Sequence, residues 1–144
     1  MKASNSRYSK CVYFSSNALA RKIEKLATNS WKSVDLSPSH AYLLMMILDE
    51  PGIYPGALVN ELLLTASTIT RLLDKLETKK LVKRTAEGKT INVFPTSKAH
   101  SLQPQLKKCS DKFLENYCSI LGKDNSEKLT RALNKITDKL MVND

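Results

Sequence analysis

Between Ser9 and Ser30 the apolar residues Val12, Leu19, Ile23 and Leu26 recur at helical spacing with lysines and arginines on other faces, predicting a first amphipathic helix. Asp35-Leu36-Ser37-Pro38 is a start signal for a second: Ser37 can cap free amides, and Pro38 suits a first helical position where a missing N–H is no loss. Leu43, Leu44, Ile47 and Leu48 form adjacent i, i+4 pairs, so this helix, running to about Leu48, is expected to be buried on a broad face until Pro51-Gly52 ends it. A short third helix follows from Pro55 to Leu63, and Thr65 is placed to cap a fourth carrying Ile69, Leu72, Leu73 and Leu76 on one side.

After Lys80 the period changes. Leu81 to Thr85 and Thr90 to Phe94, with Ile91 and Val93 alternating against polar neighbours, predict two short strands around a turn of Ala86-Glu87-Gly88-Lys89. Beyond Pro95, the residues Leu102, Leu106, Cys109, Phe113, Tyr117 and Ile120 fall on one helical stripe, whose start Pro104 should kink because it cannot bond back to His100. Gly122 to Ser126 interrupts the pattern, and Leu129, Leu133, Ile136 and Leu140 form a last stripe. The expected fold is mainly α with a small β-hairpin wing, one domain over residues 1–144. Residues 36–96 form the winged helix-turn-helix core; residues 1–35 and 97–144 form flanking helices. Those terminal helices carry more apolar stripe than so small a core needs, which suggests dimerisation helices; a monomeric bundle is the alternative.

Charge sharpens this picture. The 144 residues hold 23 Lys and Arg against 14 Asp and Glu, a formal net charge of +9, so a polyanion is the first partner to consider. All seven bases of residues 36–96 lie between Arg71 and Lys89, a stretch with only three acids. No apolar run approaches the roughly 20 residues of a membrane span and no apolar leader opens the chain, which gives a cytoplasmic expectation with no membrane partner. Three cysteines, an odd number, favour reduced thiols over a disulfide framework. His40 and His100 are isolated from Cys109 and Cys118 in spacing, so neither a metal site nor a cofactor is expected.

Helix, turn, helix and basic hairpin is the order of a winged helix, whose second helix enters the DNA major groove while the hairpin reaches the neighbouring backbone or minor groove. That second helix opens Thr65-Ala66-Ser67-Thr68-Ile69-Thr70-Arg71. Thr65, Ser67, Thr68 and Thr70 permit close approach and can bond phosphates together with free helical amides; Arg71 can contact guanine in bidentate fashion. Lys75, Arg84 and Lys89 complete the candidate DNA-binding set. The alternative is that the hydroxyls merely cap and Arg71 pairs with Asp74.

The run from Ser67 to Glu77, continued by Thr78-Lys79-Lys80-Leu81-Val82-Lys83-Arg84, closely resembles the MarR family of bacterial transcriptional regulators. Leu36-Ser37-Pro38, Glu61-Leu62 and Pro95-Thr96-Ser97-Lys98 extend the likeness over about residues 36–100. Leu63 stands in the inter-helix turn where the family often has glycine, and the wing is shorter than most. Glu87-Gly88-Lys89 stands where the family carries an acid and, two positions on, an arginine; Lys89 keeps the charge without the planar fork. The resemblance implies a homodimeric repressor with recognition helices about 34 Å apart on a pseudo-palindromic double-stranded operator.

Two release signals are in contention. Cys11, beside Lys10, near Arg7 and close to a helix start that Ser6 or Ser9 would cap, has surroundings of the kind redox-active thiols occupy. Cys11-Val12-Tyr13-Phe14 also resembles the first helix of the family's organic-hydroperoxide-sensing branch, with Cys118 a candidate resolving partner from another subunit; the plainer role of such cysteines is packing. The rival, implied by the wider family, is a small aromatic ligand between the terminal helices and the core, in a pocket lined by Trp31, Tyr42, Tyr54 and Tyr117. Outside regulation, a winged-helix module that binds protein instead of DNA is the main alternative, and a thiol peroxidase using Cys11 the remoter one, since no phosphate loop, nucleophile elbow or acid–base pair is found.

Overall fold

α2 (Pro38–Asp49) is apolar on almost every face, and the other elements assemble around it: Ala41, Leu43, Leu44 and Ile47 are fully buried. The computed structural model describes residues 1–142. After a 3₁₀ turn at Ala3–Asn5, α1 (Val12–Trp31) leads through a second 3₁₀ turn, Lys32–Val34, into α2. Then follow α3 (Pro55–Leu62), α4 (Ala66–Thr78), β1 (Val82–Glu87), β2 (Thr90–Pro95), α5 (Ser97–Leu121) and α6 (Lys123–Met141). Leu58 of α3, Ile69, Leu73 and Leu76 of α4, Val93 of β2 and Leu106 of α5 close around the α2 leucines, and α1 adds Trp31. The mainly helical fold with its single hairpin is the one expected.

The caps explain the helix starts. Ser37 Oγ accepts from the His40 amide at 3.3 Å, Thr65 Oγ1 from the Thr68 amide at 3.2 Å and Thr96 Oγ1 from the Ala99 amide at 3.3 Å. α1 begins differently from expectation: Cys11 itself occupies the N-cap position. Ser6 Oγ instead accepts from the Tyr8 amide, while Ser9 uses its carbonyl to accept from Ser15 Oγ. α5 continues through Pro104, which has no N–H to donate to the His100 carbonyl; both residues are exposed.

Between α3 and α4 the chain reverses at Leu63, in left-handed geometry with φ 52° and ψ 41°. The hairpin is tighter than the four-residue turn expected. β1 and β2 pair antiparallel from Val82↔Pro95 to Glu87↔Thr90, leaving only Gly88-Lys89 as the turn. Gly88 has φ 63°, while Lys89 is not among the positive-φ residues. Glycine at the first of two central positions suits a turn whose twist matches the flanking strands, so the ladder runs almost to the tip. At its base Val93 also bridges to Ile53, and Thr96 Oγ1 donates to the Lys80 carbonyl at 2.7 Å.

The terminal stripes divide. Leu106 and Cys109 are buried and Leu102, Phe113 and Tyr117 half-buried, whereas Ile120 lies open at the far end of α5. On α6, Leu129 is half-buried, but Leu133, Ile136 and Leu140 are 44%, 57% and 66% exposed. Val12 and Tyr13 at the start of α1 are likewise open. No helix among the described residues is long and apolar enough to cross a membrane.

Candidate nucleic-acid interface

α4 is sharply two-sided. Ile69, Leu73 and Leu76 enter the core, while Ser67, Thr70, Arg71, Asp74, Lys75 and Thr78 lie exposed at i, i+3 and i+4 spacing. At its start the hydroxyls form a network: Thr65 Oγ1 lies 3.2 Å from Ser67 Oγ and 2.9 Å from Thr68 Oγ1. Arg71 donates to Thr68 Oγ1 at 3.4 Å. Thr68 is half-buried and serves chiefly to order Thr65 and Arg71, whereas Ser67 and Thr70 are open to a ligand. Thr70 spends its hydroxyl hydrogen on the Ala66 carbonyl, leaving its oxygen to accept. The amides of Ala66 and Ser67, in the first helical turn, point out of the N-terminus where an anion is favoured.

Arg71 does not pair with Asp74. Arg84 of β1 takes that carboxylate, Nη2 to Asp74 Oδ1 at 2.6 Å, and also Glu77, Nε to Oε2 at 2.9 Å. The two carboxylates hold the Arg84 guanidinium pKa above its ordinary value, the Glu77 hydrogen bond first and the Asp74 bond next. Arg84, expected among the groups facing DNA, thus lies at the junction of hairpin and helix; Arg71 and Lys75 remain exposed on α4, and Lys89 stands at the hairpin tip. Glu87 accepts from Asn92 Nδ2 at 3.0 Å across the strands, so the tip carboxylate is used within the hairpin.

Behind α4, Lys79 donates to Asp35 Oδ2 at 2.9 Å, and Lys98 to the Lys79 carbonyl at 2.9 Å. The Lys79 hydrogen bond and charge lower the Asp35 pKa. Burial, then the positive charges of Lys79 and Lys75, lowers that of His40. None of these long-range partners is marked in the sequence by more than residue type: they stand 10, 7 and 44 positions apart.

The aromatic quartet is only partly assembled. Trp31 is fully buried, its ring centroid 5.3 Å from that of Tyr42 and 5.4 Å from that of Phe113, and Phe113 meets Tyr117 edge-on at 5.0 Å. Tyr54 lies apart at the N-cap of α3, exposed, with its ring folded over Gly56. Phe113 takes its place, at i, i+4 from Tyr117 on the α5 stripe, a spacing that could have identified it. Tyr42 and Phe113 line a cavity of about 280 Å³ between α1, α2, α3 and α5, with Ile23, Ala27, Leu62 and Leu64. Trp31 is packed behind its wall. Burial, with Tyr117 contributing, raises the Tyr42 phenol pKa, so it is a neutral hydrogen-bond donor at physiological pH.

Cys11 is exposed, Cys118 half-buried in a cleft between α5 and α6, and Cys109 buried against Ser33 Oγ at 3.4 Å. Among the described residues no three His, Cys, Asp or Glu side chains converge on a metal position.

The sequence profile of the MarR family matches residues 34–90, the span of α2, α3, α4 and the hairpin turn. Over these residues the chain is similar to the MarR family. The HTH-type transcriptional regulator MgrA of Staphylococcus aureus is 27% identical over 120 residues, 81% of this chain and 80% of MgrA. Among solved structures, the transcriptional repressor CouR bound to a 23-mer DNA duplex superposes with TM-score 0.82 at 19% identity, covering 95% of this chain and 98% of that one. The S. aureus MepR–DNA complex gives 0.77 at 19%, covering 90% and 97%. MgrA is a transcriptional regulator and CouR a transcriptional repressor, so the similarity runs to regulators.

Proposed function

We propose that this chain is a regulator of the MarR type: a cytoplasmic, homodimeric, sequence-specific DNA-binding repressor that an effector releases from a pseudo-palindromic operator. The exposed face of α4 carries the reading: it offers hydroxyls, Arg71 and Lys75 beside free helical amides, and the hairpin adds Lys89. A protein-docking helix would more often expose apolar anchors there. Thr65, Ser67, Thr68 and Thr70 order and approach the backbone, Arg71 reads a base edge, and Lys75 and Lys89 bind phosphate. Arg84 is assigned to positioning, because its guanidinium already holds two carboxylates.

The effector favoured by the geometry is a small planar aromatic compound, since the cavity walled by Tyr42 and Phe113 lies where α2 and α3 of the winged core meet the flanking helices α1 and α5. CouR, of similar fold, has also been solved with p-coumaroyl-CoA. Oxidation of Cys11 is the second signal, favoured by its exposure at the start of α1.

Selection of bound duplexes from a random library, followed by anisotropy titration with excess nonspecific DNA, tests the proposal. A two-fold symmetric sequence bound in a strongly salt-dependent manner is expected. Enrichment of no sequence would overturn it. Titrating the complex with phenolic acids, and separately with cumene hydroperoxide followed by dithiothreitol on parent and Cys11→Ser proteins, identifies the release signal.

A further inference from the structure

The geometry points to Arg84 as a positioning residue that fixes the angle of the hairpin on α4, so that Lys89 and Arg71 engage one duplex together. The inference rests on the DNA-binding reading above.

The hairpin is anchored unevenly. At its base, Val82 and Val93 are buried, Val93 bridges to Ile53, and Thr96 ties the exit of β2 to the entry of β1. Arg84, opposite Val93 in the register, is the last β1 residue that is not fully open. From Thr85 to Ile91 every residue is exposed. Two strands alone are a weak structure, so the direction of the tip depends on the last link to the body. That link is two charge-assisted bonds, from different nitrogens of one rigid plane, to carboxylates three residues apart on α4. A planar fork held at two points resists rotation as well as translation, which a single ammonium would not.

Beyond Arg84 the tip is stiff. The ladder continues to Glu87↔Thr90, Asn92 bonds Glu87, and Thr90 Oγ1 donates to the Glu87 carbonyl at 2.8 Å. Loss of the Arg84 anchor therefore changes the angle at which Lys89 is presented and also lets the exposed ladder beyond it open more often.

The test compares the parent protein with Arg84→Gln, Lys89→Ala, their double variant, and the triple Asp74→Asn/Glu77→Gln/Arg84→Gln. In DNA-free protein, Arg84→Gln is expected to speed hydrogen exchange at Thr85–Asn92 by about tenfold or more while α2 amides keep their rates. Lys89→Ala leaves both unchanged. On the selected duplex, Lys89→Ala should weaken binding about tenfold in the parent but under about twofold in the Arg84→Gln background, because a misdirected tip has no contact to lose. The triple variant, which removes the acids' repulsion of phosphate along with Arg84, should stay weak. Unchanged exchange at the tip overturns the proposal without reference to DNA. So does an equal cost of Lys89→Ala in both backgrounds, or recovery of parent affinity by the triple variant. A parent that selects no duplex is instead a failure of the DNA-binding reading, and the exchange result still decides whether Arg84 holds the hairpin.

Discussion

Lys79, just past the end of α4, lies 2.9 Å from the Asp35 carboxylate and 2.7 Å from the Asp35 carbonyl oxygen, so the turn before α2 is fastened to the helix that presents Arg71. The folded-state pKa of Asp35 is below its ordinary value of 3.8. Protonation thus favours the unfolded chain: the contribution is present above that ordinary value and is lost as pH falls through the lowered one. Asp35 has φ 54°, a conformation asparagine also tolerates, so Asp35→Asn isolates the charge. We expect its unfolding midpoint to fall less steeply than the parent's below about pH 4, with only a small difference at pH 7. Parallel acid slopes would remove the pair from the stability balance.

His40 acts at higher pH through the same lysine. Its pKa is lowered from 6.5, first by burial and then by Lys79 and Lys75, so charging it favours the unfolded state. The contribution is complete above 6.5 and lost as pH falls through the lower folded value. Thermal unfolding of parent and His40→Gln between pH 7.5 and pH 5, about the histidine range, should show a mild decline only in the parent. A decline retained in His40→Gln would assign the effect elsewhere.

Leu63 carries a backbone cost. A non-glycine residue in left-handed geometry loses about 1 kcal/mol or more, and this side chain is 63% exposed, so it recovers little by burial. Leu63→Gly should raise stability by about 1 kcal/mol in denaturant unfolding. The converse holds at Gly52, φ 90°, where an added Cβ would meet the Phe94 ring at 3.2 Å: Gly52→Ala should destabilise. If Leu63→Gly lowers the midpoint, the leucine is compensated by packing that its exposure does not reveal.

The helices were legible because their signals are local. Ser37, Thr65 and the 3.6-residue stripes are read within one or two turns of chain; both residues cap as expected, and the stripes of α2 and α4 are buried while those of the terminal helices are buried only in part. The Glu87–Thr90 register was not, because a two-residue turn and a four-residue turn share the same glycine. The pairing of Arg84 was hidden for a different reason. Its charge was visible, but whether a base faces DNA or a carboxylate depends on the angle between β1 and α4, which no local pattern encodes. The aromatic group shows the same limit: Tyr54 is chemically suited but lies apart from Trp31, Tyr42 and Tyr117, whereas Phe113, which joins them, stands in a stripe read only as core.

Arg71 and Lys75 share the exposed face of α4 but should differ in what they control. Arg71→Ala is expected to cost about 1–3 kcal/mol and to relax selectivity at one base pair. Lys75→Ala should weaken all duplexes alike and reduce the slope of log K against log salt by about 0.9. Titrations of both variants on the selected site and on single-base variants, at several salt concentrations, separate the two. Uniform loss from Arg71→Ala would make it another phosphate contact.

The open end of the α6 stripe tests the assembly on which operator symmetry depends. Ile136 and Leu140 lie one turn apart at 57% and 66% exposure, continuing the stripe from Leu133 at 44%, and Ile120 of α5 is open at 71%. A stable dimer requires burial of about 800 Å² per partner with an apolar centre, and placing charge there leaves an unpaired carboxylate to desolvate. Ile136→Asp/Leu140→Asp should therefore sediment as a monomer while its circular dichroism stays helical. Each monomer then meets one half-site at bulk concentration. Loss of the linked second contact should weaken operator binding by about 10²–10⁴-fold, with affinity for an isolated half-site unchanged. A variant that remains dimeric would move the interface to the open Val12 and Tyr13 end of α1; a monomer with full operator affinity would show that the two half-sites are read independently.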